Sequence, residues 1–176
     1  MVFALVACPV AAAVLVDRVI AHPRLDPPTK ADAVVVLGPA DTGGALDLGE
    51  RLVRDGLATR LVVSTVDGQR GALGHLCWDR QPPLGGASLS CFVPVPATTR
   101  GEARSVSSLV AQNHWRSVIV VTPVYHVARA RLLFQRCPTG HLEFVAPDDH
   151  TSTARWVFES GYQMAAFLKA AAQTGC

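Results

Sequence analysis

The segment Ser117 to Arg131, SVIVVTPVYHVARAR, brings together Thr122, Tyr125, His126 and Arg129: two hydroxyls, an imidazole and a guanidinium within eight positions. His126 can move a proton near neutral pH, and Arg129 can hold an anionic oxygen by two hydrogen bonds. Three residues apart, these two share a face if the segment is helical. A second group, Thr98, Thr99, Arg100 and Glu102, follows another apolar run. Its helix-start pattern fits an N-cap at Thr98-Thr99 with Glu102 as a capping-box partner. An N-cap at such a position can also line an anion site. Gly38 and Asp41 follow a third apolar run and Thr65 a fourth, so every polar candidate falls where a strand should end. Catalytic roles are assigned to His126 and Glu102, and ligand contacts to Gly38, Asp41, Thr65, Thr99, Arg100, Thr122, Tyr125 and Arg129. Structural readings compete with several of these: Glu102 as a cap, Arg129 as its ion-pair partner, Tyr125 as packing, His126 as a helix-start residue.

The elements that would position them alternate between strand and helix. Ala33 to Leu37 reads as a buried parallel strand. The loop PADTGG then leads into a helix of about twelve residues, with Leu46, Leu48, Leu52 and Val53 apolar and Gly56 closing it. Arg60 to Thr65 is a second strand, Val66 to Ser90 an irregular insertion, and Cys91 to Val95 an edge strand, because Pro94 cannot complete a central ladder. A helix reaches about Asn113, Ser117 to Thr122 is the fourth strand, and Tyr125 to Arg136 a helix. Leu142 to Val145 is the fifth strand, and an amphipathic helix spans roughly Thr151 to Ala172. Such alternation predicts an α/β, Rossmann-like, doubly wound and mainly parallel five-stranded sheet. Its ligand crevice should lie beyond the carboxyl ends of the strands.

Several function classes are disfavoured. With 176 residues and a net charge of +2, the chain has no electrostatic footprint for nucleic acid. Glycines 38, 43 and 44 do not make G-x-G-x-x-G, and no Walker sequence or G-x-S-x-G elbow occurs. No His, Cys, Asp or Glu set has zinc spacing, so no metal site is assigned, and the sequence names no cofactor.

Met1 to Val16, MVFALVACPVAAAVLV, carries no charge; Asp17 and Arg18 follow. With Val19 to Ala21 it approaches the length of a bilayer span, so residues 1–21 read as an uncleaved N-terminal anchor helix, with a buried helix as the competing reading. Residues 22–30, HPRLDPPTK, read as a stiff Pro-rich linker, and 31–176 as the globular domain. Arg18, Arg24 and Lys30 favour a cytoplasmic domain. Cys77 and Cys91 flank a Pro/Gly-rich loop that a disulfide could close in an oxidising compartment. The competing reading is two buried thiols. The cysteines favour the outer face of a single-pass plasma-membrane protein.

Three motifs resemble a bacterial family of envelope-associated domains, the YdcF/SanA/ElyC-like family. They are Ala31-Asp32-Ala33-Val34-Val35-Val36-Leu37-Gly38, Thr98-Thr99-Arg100-Gly101-Glu102-Ala103, and Thr122-Pro123-Val124-Tyr125-His126-Val127-Ala128-Arg129-Ala130. Leu57 to Ser64 also resembles its second strand. The resemblance implies a Rossmann-like cleft behind a membrane anchor, a role in cell-envelope or peptidoglycan biogenesis, and functional positions at Gly38, Thr99, Glu102, Thr122, His126 and Arg129. Three positions depart from the pattern: Pro39 where a second glycine is usual, Ala45 where an arginine is common, and Glu102 where many members have asparagine. A small anionic or lipid-linked envelope ligand is expected, bound either by an enzyme using His126 or by a non-catalytic regulatory module.

Overall fold

A computed structural model describes residues 16–40, 44–65, 77, 84–148 and 152–176. The strands are β1 (Ala33–Val36), β2 (Arg60–Ser64), β3 (Ser88–Phe92), β4 (Ser117–Val121) and β5 (His141–Val145). The helices are α1 (Ala45–Arg54), α2 (Thr99–Asn113), α3 (Val127–Phe134) and α4 (Thr153–Ala172), with a 3-10 turn (Val124–His126) leading into α3. All pairs are parallel, in the order β3-β2-β1-β4-β5. The α/β, Rossmann-like architecture is therefore present.

β1 is apolar at every position because both its faces are covered. Ala33 and Val35 pack with Val106, Val110, Phe134 and Phe144, under α2 and α3. Val34 and Val36 pack with Leu52, Val53, Ile119 and Val121, under α1. In α1, Gly49 lies so close to the sheet that a Cβ there would sit 2.5 Å from a Val36 methyl. The chain runs outward from β1 through β2 to β3, then returns to lay β4 on the other side of β1. That reversal is a topological switch point, where strand ends diverge and a crevice opens.

Two sequence expectations change. The edge strand is Ser88–Phe92 rather than Cys91 to Val95, so Pro94 lies beyond it and the strand begins inside the expected insertion. Ser88 and Ser90 gave it a polar look, but it pairs along its whole length with β2, where Leu61, Val62 and Val63 stand opposite Leu89, Ser90 and Cys91. Residues 22–30, read as a stiff Pro-rich linker, are tied to β5 by hydrogen bonds. Asp26 N–H donates to the Phe144 carbonyl (2.9 Å), and the Asp26 carboxylate accepts from Phe144 N–H (2.8 Å). Thr29 donates through backbone and hydroxyl to the buried Glu143. The segment thus covers the open edge of β5, which would otherwise present unpaired backbone groups.

Of the expected anchor, residues 1–15 lie outside the described residues. Asp17–Ala21 form a π-helical turn that packs on the globular unit, with Ile20 1% exposed. Among the described residues no helix is long and apolar enough to cross a membrane. Cys77 and Cys91 form a disulfide, and Cys137 and Cys176 form a second, which the sequence reading did not anticipate.

Candidate functional site

A cleft of about 880 Å³ opens at the carboxyl ends of β1 and β4, walled by the starts of α2 and α3 and by one side of α4. It is within the range of small-molecule sites. Four cations line it, Arg100, Arg104, Arg129 and Lys169, against two carboxylates, Glu102 and Glu159.

The centre is a chain of hydrogen bonds through Thr99. Arg129 Nη1 donates to Thr99 Oγ1 at 3.1 Å, and that oxygen lies 3.1 Å from His126 Nε2. His126 Nδ1 lies 2.8 Å from Thr122 Oγ1. Arginine has no lone pair to offer, so Thr99 accepts from it. With the ring proton on Nδ1, the ring donates to Thr122 and Nε2 accepts the Thr99 proton; with the proton on Nε2, both bonds run the other way. The opening of α3 creates this arrangement: Thr122 ends β4, and the 3-10 turn brings His126 back over it. Arg129 follows within the first turn of α3. Its Nε donates to Gln163 Oε1 (2.9 Å), and its guanidinium lies 6.0 Å from the Tyr162 ring centroid.

Glu102 faces the same cleft from α2. Its carboxylate accepts from Gly38 N–H at 2.7 Å, joining the end of β1 to the start of α2. The capping-box role expected for it is not made. Thr98, not Thr99, is the N-cap, and its hydroxyl accepts from Gly101 N–H at 3.2 Å. Gly101 therefore occupies the box position, one residue short of Glu102. This frees Glu102 to turn inward, where it is 1% exposed.

Burial pushes the Glu102 carboxyl up to about 7, with Gly38 N–H, the Ser64 hydroxyl and Arg129 pulling the other way. Ser64 is wholly buried and its hydroxyl makes no hydrogen bond of ordinary geometry, so its influence on Glu102 is weaker than that of Gly38 N–H. Burial also holds His126 well below the ordinary 6.5, and the Arg129 charge adds to the effect. His126 is neutral at pH 7, and Glu102 is the group that changes protonation there.

The other candidates separate. Tyr125 lines the cleft and packs edge-on against Trp156, with centroids 6.1 Å apart. Gly38 and Thr99 line the cleft; Thr122 is fully buried behind His126 and does not. Thr65 is also away from it, its hydroxyl donating to the Phe92 carbonyl (3.1 Å) at the sheet edge. Arg100 lines the cleft, but Nη2 donates to the Thr174 and Cys176 backbone oxygens. Asp41 lies outside the described residues. Arg131, five positions after the 3-10 turn, faces away from the cleft and binds Asp26 at 2.8 Å. Among the described residues no group of three or more His, Cys, Asp or Glu could hold a metal ion.

Sequence reasoning missed the contribution of α4: Glu159, Tyr162, Gln163 and Lys169. Buried Glu159 and Gln163, 8% and 4% exposed, were the available signal, since polar side chains on a helix's inner face need a polar reason to be there. Gln163 Nε2 donates to Glu159 Oε2 (3.3 Å), so the pair hands its order on to Arg129.

No family model, curated protein or solved structure matches this chain.

Proposed function

We propose that this protein is a YdcF-like component of cell-envelope or peptidoglycan biogenesis whose cleft binds a small phosphorylated or nucleotide-like ligand, free or lipid-linked. Arg129 is the anion clamp, the first turn of α2 offers backbone N–H groups, and Glu102 is the general acid/base. The observation that carries the reading is the convergence of Arg129, Thr99 and Glu102 on one switch-point cleft. Arg129 is already oriented by Gln163 and Thr99, so little ordering is left to lose when an anion arrives. A carboxyl near pH 7 has the affinity a general acid/base needs at neutral pH.

Attachment to the outer face of a bacterial plasma membrane through the N-terminal segment is part of the same proposal. Its support is the apolar run Met1 to Val16 and the two disulfides, which persist in oxidising compartments. The three quoted motifs support the family assignment. A non-catalytic binding module is the second reading. It is favoured by the burial of His126 with both ring nitrogens engaged.

A thermal-shift panel of nucleotides and lipid-linked phosphates, run on wild type and Arg129→Ala, tests the binding reading. A ligand at about a hundredfold excess over Kd should raise Tm by about 5 to 10 °C in wild type and much less in the variant. Equal shifts in both proteins would remove Arg129 from the site. Zero turnover of every member of the panel, with binding intact, would favour the non-catalytic reading.

A further inference from the structure

Glu102 and Arg129 account for acid/base work and anion binding, but not for the placement of Thr99. Its hydroxyl sits between a cation that can only donate and an imidazole nitrogen 3.1 Å away, which accepts the hydroxyl proton in the tautomer protonated at Nδ1. The imidazole is held on its far side by a third side chain, Thr122. A hydroxyl, a base within hydrogen-bond reach, and a group orienting that base are the three parts of an activated nucleophile. The surroundings are the right ones for the charge that would develop. Thr99 is the first residue of α2, where backbone N–H groups point outward, and Arg129 touches its oxygen directly.

We propose that Thr99 is a nucleophile that takes a phosphoryl group from a phosphate monoester bound in the cleft, with His126 Nε2 as its base. The inference rests on the anion-binding reading above and names the reaction of that same site. Thr99 Oγ1 uses its remaining lone pair to form a bond to phosphorus, and its proton passes to His126 Nε2. The bond from phosphorus to the ester oxygen breaks, that oxygen keeps the electron pair, and protonated Glu102 supplies its proton. Water then attacks phosphorus, giving one proton to Glu102. The Thr99 oxygen leaves phosphorus and recovers its proton from His126, which restores the starting site and releases orthophosphate. No oxidant, reductant or further reactant is consumed.

The charges fit this order of events. The Arg129 charge disfavours a second positive charge on His126 in the empty site. A phosphate dianion seated on Arg129 cancels that repulsion, so the imidazole gains basicity when a substrate is present. Thr122 acts through His126 and is a positioning residue: it keeps Nε2 aimed at Thr99.

The full chain is incubated with para-nitrophenyl phosphate, quenched in acid, and examined by intact mass and peptide mapping; orthophosphate binding to wild type is measured in parallel by thermal shift. The expected result is one phosphoryl group on Thr99 in wild type and in Thr99→Ser, and none at this position in Thr99→Val. His126→Gln should slow labelling by about a hundredfold or more. Thr122→Ser should retain labelling and Thr122→Val lose most of it, although both fold. Glu102→Gln should slow phenyl phosphate, whose leaving oxygen needs a proton, far more than para-nitrophenyl phosphate, whose leaving group does not. Orthophosphate binding without any labelling of Thr99, or ester turnover by Thr99→Val at the wild-type rate, overturns the nucleophile and leaves the binding reading intact. Absence of orthophosphate binding overturns both.

Discussion

Glu102 and His126 both sit in the cleft wall almost without solvent, and burial moves them in opposite directions with opposite consequences for stability. The Glu102 carboxyl is raised from an ordinary 4.5 to about 7. Between those values the unfolded chain loses its proton while the folded protein keeps it, so stability falls as pH rises through this window. The His126 ring is held well below 6.5. As pH falls beneath 6.5 the unfolded chain gains a proton that the folded protein refuses, so stability is lost on the acid side. Each group contributes a slope of at most about 1.4 kcal/mol per pH unit. Equilibrium denaturation across pH 4 to 8 should show that Glu102→Gln removes the decline toward pH 7, and that His126→Asn removes the loss below 6.5. An unchanged profile in Glu102→Gln would mean that the carboxyl titrates normally. The His126 substitution also leaves Thr99 and Thr122 short of a partner, at a cost of about 1–3 kcal/mol at pH 7. Both residues were legible as candidates from the sequence, because each follows a strand end. Their protonation was not, because it depends first on burial, and for Glu102 also on Gly38 and Arg129 reaching it from 64 and 27 positions away.

At the scale of elements, the start of α2 is fixed by a close backbone approach. A Cβ at Gly101 would overlap the Pro96 carbonyl oxygen, with two further Pro96 backbone atoms near 3 Å. The loop before α2, which supplies Pro96, Ala97 and Thr98 to the cleft, can lie where it does only because residue 101 has no side chain. Gly101→Ala should destabilise the protein by about 1–3 kcal/mol and weaken anion binding, measured by denaturation and titration together. A neutral substitution would show that this loop moves freely. The other edge depends on residues 22–30. Asp26 receives Phe144 N–H and Arg131, whose guanidinium also lies 4.6 Å from the Phe144 ring centroid. Burial raises the Asp26 carboxyl, but the Phe144 and Arg131 bonds outweigh it and the net shift is downward. Asp26→Ala should cost about 1–3 kcal/mol and speed proteolysis between His22 and Lys30. Cleavage there at the wild-type rate would contradict the docking. From the sequence this segment reads as a linker because three prolines and no periodicity leave no strand or helix to recognise. Its attachment comes from single side chains, which carry no pattern. The polar edge strand β3 was misplaced for a related reason: Ser88 and Ser90 lack strand propensity, and pairing with β2 overrides it.

For the molecule as a whole, the fold was the most legible level, since apolar runs at Ala33 to Val36 and Val118 to Val121 can hardly be anything but central parallel strands. The switch point between them follows from the strand order, and with it the position of the cleft. The wall contributed by α4 was not legible, because an amphipathic helix does not state which neighbour its buried Glu159 and Gln163 will serve. Nor was the Cys137–Cys176 bridge, which ties the segment after α4 to the end of α3 and keeps Thr174 and Cys176 beside Arg100 and Arg104. The central claim is that this assembly places Arg129 to hold a phosphoryl group. Calorimetric titration of orthophosphate into wild type and Arg129→Ala, with the unliganded Tm of both recorded, addresses it most directly. Saturable one-to-one binding in wild type, weakened about tenfold or more in a variant that still folds, is the expected result. Equal affinity in the two proteins, or no saturable binding to wild type, would contradict it.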